Sequence, residues 1–71
     1  MKLIYFQSGS KEALKQTVTH GPDVPITGDI IYVGNTPYKV IRRYFNLDQG
    51  HDLMYIEMMP YVDRIPYQFL L

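Results

Sequence analysis

The residue types best suited to metal or acid–base chemistry lie in two predicted loops of this sequence. Asp48, His51 and Asp52 cluster at one turn, and His20 and Asp23 lie in an earlier loop. Imidazole nitrogens and carboxylate oxygens are ligands for divalent ions. Hydrophilic side chains at the tip of a hairpin have the same composition, and we predict neither a metal site nor a cofactor here.

The motifs of common enzyme classes are missing from the sequence. It contains no cysteine, no Gly-rich phosphate loop, no His-Glu-x-x-His and no Gly-x-Ser-x-Gly. Ser8 and Ser10 follow a predicted strand, where capping of the next element explains them. We therefore predict that the protein is not an enzyme and has no catalytic residues.

Basic and aromatic residues are interleaved in the second half of the chain. They are Lys39, Arg42, Arg43 and Arg64 with Tyr38, Tyr44, Phe45 and Tyr55. Single-stranded bases stack on strand surfaces of this kind, so binding of single-stranded nucleic acid through a Tyr/Arg strand face is one alternative. The 7 Lys and Arg residues balance the 7 Asp and Glu residues, which argues against a broad basic field for gripping phosphate backbones.

The abundance of tyrosine and methionine favours a protein-interaction module. Seven tyrosines together with Met54, Met58 and Met59 give this small chain more aromatic and adaptable surface than its core can bury. Tyrosine, methionine and arginine are enriched in interface cores and hot spots. The predicted partner-binding residues are Tyr32, Arg42, Arg43, Tyr44, Tyr55, Tyr67 and Phe69.

The first part of the chain predicts one strand and then one short helix. Residues 2–7 form an apolar run with Leu3 and Tyr5 on one side, which predicts a strand covered on both faces. Ser10 is a candidate N-cap for a helix over residues 11–18. The loop that follows contains two prolines, which prevent the helix from continuing.

Residues 28–60 predict a three-stranded antiparallel meander. Three runs rich in β-branched and aromatic residues are separated by turns at Gly34-Asn35 and Gln49-Gly50. The first turn places Ile31 opposite Tyr38.

The second turn sets the pairing of the last two strands. It places Arg42 opposite Glu57 and Tyr44 opposite Tyr55, with Val40 opposite Met59 on the same face. Ile41 is then opposite Met58 on the other face, and a bend near residues 42–43 explains why neither face is uniformly polar.

The first hairpin of the meander carries a resemblance to known proteins. Residues 28–40, Gly-Asp-Ile-Ile-Tyr-Val-Gly-Asn-Thr-Pro-Tyr-Lys-Val, resemble the opening hairpin of small SH3-like barrel proteins of phage, prophage and bacterial accessory type. The resemblance is limited to this hairpin, and its turn here is Gly-Asn instead of Asp-Gly or Asn-Gly. It implies a barrel fold and carries no functional residues over.

Together these patterns predict a single small α+β domain over residues 1–71. We expect a small bent antiparallel sheet or SH3-like barrel with one short helix after the first strand. The apolar run near the N-terminus is too short for a signal-peptide core or a membrane span, so a cytoplasmic protein without membrane contact is expected.

The predicted function is a small non-enzymatic protein-binding module. A phage or mobile-element accessory protein that binds or inhibits a host protein fits this pattern. The alternatives are the single-strand nucleic-acid binder and a homo-oligomeric structural component. In the last case the apolar tail, residues 65–71, pairs with a neighbouring subunit instead of closing the barrel after Pro66.

Overall fold

The computed structural model describes residues 1–20, 23–46, 48 and 52–62, and its strands form one sheet. The strands are β1 (Lys2–Gln7), β2 (Ala13–Val18), β3 (Ile30–Val33), β4 (Thr36–Tyr44) and β5 (Leu53–Pro60). Their order across the sheet is β2-β1-β5-β4-β3, so β2 and β3 are its edges. Residues of both edge strands line one cleft, because the sheet curls into a half-barrel.

The segment after β1 is a strand, and the predicted helix is wrong. β2 pairs antiparallel with β1, with Thr17 opposite Leu3. Two turns make a marginal helix, whereas pairing satisfies the backbone groups along one edge of β1. Ser10 does accept a hydrogen bond from the Glu12 N–H, at 3.2 Å, but this bond lies in the β1–β2 connection.

The predicted α+β class is wrong as well, because it depended on the predicted helix. The described residues form no α-helix, and accordingly none of them belongs to a helix long and apolar enough to cross a membrane. In place of the predicted bent antiparallel sheet or SH3-like barrel with a helix, the structure has an all-β half-barrel.

The sheet is mixed, which the prediction of an antiparallel sheet also missed. β1 runs parallel to β5, with Leu3 opposite Met54 and Tyr5 opposite Ile56. Parallel neighbours are joined by a long crossover instead of a tight turn, so no local turn signal marks them in a sequence.

The predicted hairpin register is confirmed. Ile31 lies opposite Tyr38 and Val33 opposite Thr36. The turn between them requires a residue that tolerates positive φ, and Gly34 has φ 63°.

The predicted pairing of β4 with β5 is confirmed at one end only. Arg42 pairs with Glu57 and Tyr44 with Tyr55, but Val40 pairs with Met58 and not with Met59. The register shifts between Val40 and Arg42, so Ile41 is the extra residue of a β-bulge. The bulge lies close to the predicted bend and turns Val40 to the opposite face from Arg42.

The core lies on the inner, concave face of the sheet. Its buried apolar residues are Leu3, Tyr5, Tyr38, Val40, Met54, Ile56 and Met58. Ile31 and Val33 from β3 pack against it, as do Met1 and Val24. Fully burying one such side chain contributes about 1.5–3 kcal/mol, so this face supplies most of the apolar stabilisation.

Candidate functional site

The candidate site lies on the outer face of the three central strands. Across β1, β5 and β4, one row consists of Phe6, Glu57 and Arg42. The next row consists of Ile4, Tyr55 and Tyr44. Successive side chains of a strand point to opposite faces, so these residues share the face that the core does not use. The outer cluster is defined as Ile4, Phe6, Arg42, Tyr44, Tyr55 and Glu57.

Glu57 is the centre of the outer cluster. It is 8% exposed, and its Oε1 accepts a hydrogen bond from the Tyr44 hydroxyl at 2.5 Å. The Ser8 hydroxyl is a second donor, and the Arg42 Nε lies 3.5 Å from Oε1. The hydrogen bonds from Tyr44 and Ser8 and the Arg42 charge lower the pKa of Glu57 against the opposing effect of burial. The carboxylate is therefore ionised at neutral pH and holds its neighbours in place.

Ser8 reaches this carboxylate because of the parallel pairing. Its backbone N–H donates to the Met58 carbonyl at 2.7 Å, which continues the β1–β5 ladder one residue past the end of β1. The pairing thus brings a residue of the β1–β2 connection beside the middle of β5.

Tyr44 joins the polar centre to an aromatic surface. Its hydroxyl is held by Glu57, and its ring centroid lies 6.3 Å from that of Phe6 with the planes at 36°. A tilted aromatic pair at this separation is favourable. The hydrogen bond to Glu57, burial and the Glu57 charge raise the pKa of Tyr44, while the Arg42 charge opposes the rise. Tyr44 is still 42% exposed, so a fixed ring is presented to the solvent.

A shallow groove continues the outer cluster towards β2. It has a volume of about 330 Å³, and Ile4, Phe6 and Tyr55 form its apolar part. Residues 10–12 of the β1–β2 connection line it as well, together with Ala13 and Gln16 of β2. A groove of this size has room for one or two side chains of a partner.

A second cleft lies at the gap between the two edge strands. It has a volume of about 240 Å³. Tyr5, Lys15 and Thr17 line one side, and residues 31–34 line the other. β2 and β3 do not hydrogen-bond to each other across it.

Charge is unevenly distributed over the described residues. The five strands carry the cations Lys2, Lys15, Lys39, Arg42 and Arg43, but Glu57 is their only carboxylate. The other described acidic residues lie outside the strands: Glu12, Asp23, Asp29, Asp48 and Asp52. Lys2 and Lys39 are each adjacent in sequence to a residue that is buried on the inner face. Because successive side chains of a strand point to opposite faces, both lysines lie on the outer face with Arg42. The described strands therefore carry a net positive charge, although the formal net charge of the whole chain is zero.

The structure brings together three of the predicted partner-binding residues. Arg42, Tyr44 and Tyr55 lie in adjacent positions of β4 and β5. Arg43 lies opposite Ile56 and so belongs to the inner face, while Tyr32 lies on β3 at the cleft between the edges. Alternation separates two arginines that are adjacent in sequence.

The remaining predicted site residues, Tyr67 and Phe69, lie outside the described residues, as do residues 65–71 as a whole. The candidate metal cluster is only partly described, because His51 is also outside. Among the described residues, no group of three or more His, Asp and Glu side chains is placed to hold an ion.

Phe6 and Ile4 are members of the outer cluster that sequence reasoning did not assign to a site. Their i, i+2 spacing placed them on one face of β1, but nothing in the sequence indicated that this face adjoins Tyr44 and Tyr55. Glu57 was predicted only as the partner of Arg42. In the structure Phe6 of β1 lies opposite Glu57, because the parallel pairing brings β1 alongside β5.

Comparison of the chain with protein-family models, with curated proteins and with solved structures gives no significant match. The resemblance of residues 28–40 to the hairpin of SH3-like proteins stays a prediction.

Proposed function

We propose that this protein is a small non-enzymatic binding module that docks on another protein through the outer face of its sheet. The observation that carries the proposal is the outer cluster, in which a buried and ionised Glu57 fixes the half-exposed ring of Tyr44 against Phe6. Tyrosine and arginine are the residue types most often found at the energetic centres of interfaces.

The fixed geometry of the cluster supports binding. A partner that packs on Tyr44 does not have to order this side chain, because its ring and hydroxyl already have partners. Immobilising a free side chain costs about 0.5–1.5 kcal/mol on association, so a preorganised ring binds more tightly than a mobile one. The adjoining groove offers an apolar depression of about 330 Å³ for an anchoring side chain.

The proposed setting is the cytoplasm, where the module acts as a phage or mobile-element accessory protein on a host protein. A chain without cysteine is compatible with a reducing compartment. The accessory role is supported by the resemblance of its first hairpin.

The test is a tagged pull-down from lysate of the source cell, with quantification by mass spectrometry. Tyr44→Ala and Tyr55→Ala should each reduce recovery of the partner several-fold and leave most of the fold intact. Arg43→Ala, on the inner face, is the matched control and should recover the partner as the wild type does. Equal loss of stability and of partner in both tyrosine variants would contradict the proposal, because the two residues would then be structural.

Single-stranded nucleic acid is the second candidate partner, since Lys2, Lys39 and Arg42 share a face with three aromatic rings. In this case Arg42→Ala, and not Arg43→Ala, should lower affinity and flatten its salt dependence. Nuclease treatment of the lysate separates the two candidates. A stoichiometric protein that survives nuclease supports the first, and its loss supports the second.

A further inference from the structure

We propose that the segment docked on the outer face is acidic, with a carboxylate bound by Arg42 and an apolar side chain in the groove. This inference rests on the proposed protein-binding function and specifies the chemistry of the partner.

Arg42 is oriented by Glu57, and its guanidinium group still has hydrogen-bond donors for a partner. Its Nε lies 3.5 Å from Glu57 Oε1, and 67% of its side chain is exposed. The terminal nitrogens of its guanidinium group therefore keep donors for a second carboxylate. A guanidinium group binds a carboxylate through two parallel hydrogen bonds, with more geometric specificity than a lysine provides.

Glu57 does not take the place of the partner's carboxylate. Its Oε1 is already bound by the Tyr44 hydroxyl, Ser8 is a further donor, and the carboxylate is nearly buried. It orients Arg42 and Tyr44 and presents little negative charge to the solvent.

The charge on this face favours an anionic partner. Lys2 and Lys39 are exposed on the same side as Arg42, and the described strands carry no exposed carboxylate. At the groove, the adjacent Lys11 offsets the charge of Glu12. Among the described residues, the pair of Arg42 with Glu57 is the one ion pair of the outer face. Complementary potentials favour encounter with acidic segments and disfavour basic ones.

The distance from Arg42 to the groove specifies the spacing in the partner. Arg42 lies on β4, whereas the groove runs from Tyr55 on β5 across Ile4 and Phe6 on β1 to Gln16 on β2. The middle of the groove is two to three strand spacings from Arg42, about 10–14 Å, and side chains four positions apart in an extended segment lie on one side about 13 Å apart. The inferred motif therefore has an apolar residue and an acidic residue at i and i+4.

The experiment is an NMR titration of the isotopically labelled full chain with two synthetic peptides. The first is Ser-Thr-Phe-Ser-Thr-Ser-Glu-Thr-Ser, and the second has Gln in place of Glu. The first peptide should shift amide signals of β1, β4 and β5 on the outer face. The second should bind about five- to tenfold more weakly, as expected for the loss of a charge-assisted bidentate contact.

Three variants of the protein localise the effect. Arg42→Gln should lose the preference for the Glu peptide, while Arg43→Gln removes an exposed cation from the inner face and should keep it. Arg42→Lys keeps the charge without the planar fork and should retain only part of the preference. Thermal unfolding of each variant checks that the fold persists.

The outcomes separate the inference from the function on which it rests. Equal binding of both peptides to the outer face would overturn the acidic motif and leave protein binding standing. If neither peptide shifts the outer face while the pull-down still yields a partner, the inferred motif is also wrong. A short oligothymidine that displaces the Glu peptide and binds more tightly would overturn both.

Discussion

The two faces of the sheet use the same strands for different purposes. On the inner face, Val40, Ile56 and Met58 are fully buried and belong to the apolar core. On the outer face, Glu57 lies between Ile56 and Met58 in sequence, yet it gathers Tyr44 and Arg42 around a charge. Alternation along a strand therefore lets one sheet combine a core with a polar and aromatic surface.

The β-bulge at Ile41 places the core residue Val40 and the outer-cluster residue Arg42 on opposite faces of the sheet. Without a shift of register, Val40 and Arg42 would lie on the same side of β4, as the regular pairing predicts. The extra residue places Val40 against Met58 and leaves Arg42 against Glu57. One backbone irregularity thus serves both the core and the outer cluster.

The largest effect is expected from the inner face. Ile56→Ala should lower the free energy of unfolding by about 2–5 kcal/mol, because it removes apolar contacts and leaves a cavity. A domain of this size has a net stability of about the same order, so much of the variant should be unfolded. Urea denaturation measures the change. Met59→Ala, 46% exposed on the same strand, is the control and should cost far less.

The next effect should come from the charge that organises the outer face. The pKa of Glu57 is lowered from 4.5 in the folded state, so its ionisation stabilises the fold fully above pH 4.5 and loses that contribution as the pH falls through the lowered pKa. Thermal unfolding between neutral and acidic pH should therefore show a steeper loss for the wild type than for Glu57→Gln. Parallel curves for the two proteins would show that the carboxylate does not stabilise the fold.

Tyr44→Phe should have a smaller effect, because it keeps the ring on Phe6 and removes only the hydroxyl. The raised pKa of Tyr44 means that its neutral form stabilises the fold below pH 10.0 and that this contribution is lost as the pH rises through the raised value. An ultraviolet titration of tyrosinate should lose its latest-titrating component in the variant. Retention of that component would assign it to another tyrosine.

The smallest effect is expected at the sheet edge, and its sign tests the assignment of β2. Val18 is 64% exposed, so Val18→Ala removes few contacts. In a strand the change should cost a few tenths of a kcal/mol, because alanine has the lower β-propensity. In a helix the same change would stabilise the protein by about half a kcal/mol. Urea denaturation decides between them, with Lys15→Ala as a second edge substitution for comparison.

The cross-strand pairs of the outer cluster could be read from the sequence, but the cluster itself could not. The turn signals placed Arg42 opposite Glu57 and Tyr44 opposite Tyr55, and the structure has both pairs. Phe6 joins them only through the parallel pairing of β1 with β5, whose residues lie far apart in the chain. Arg43, which the sequence analysis grouped with these residues, lies opposite Ile56 on the inner face, because adjacent residues of a strand face opposite ways.

The sequence by itself determined the local part of this fold. Gly34 and its flanking β-branched residues specify a hairpin and its register, because turn geometry acts over a few residues. The tertiary structure alone decided that residues 13–18 form a strand, that β1 lies beside β5, and that Glu57 is buried. Each of these depends on backbone or side-chain partners distant in the chain, and such pairing overrides the local propensity of a short segment.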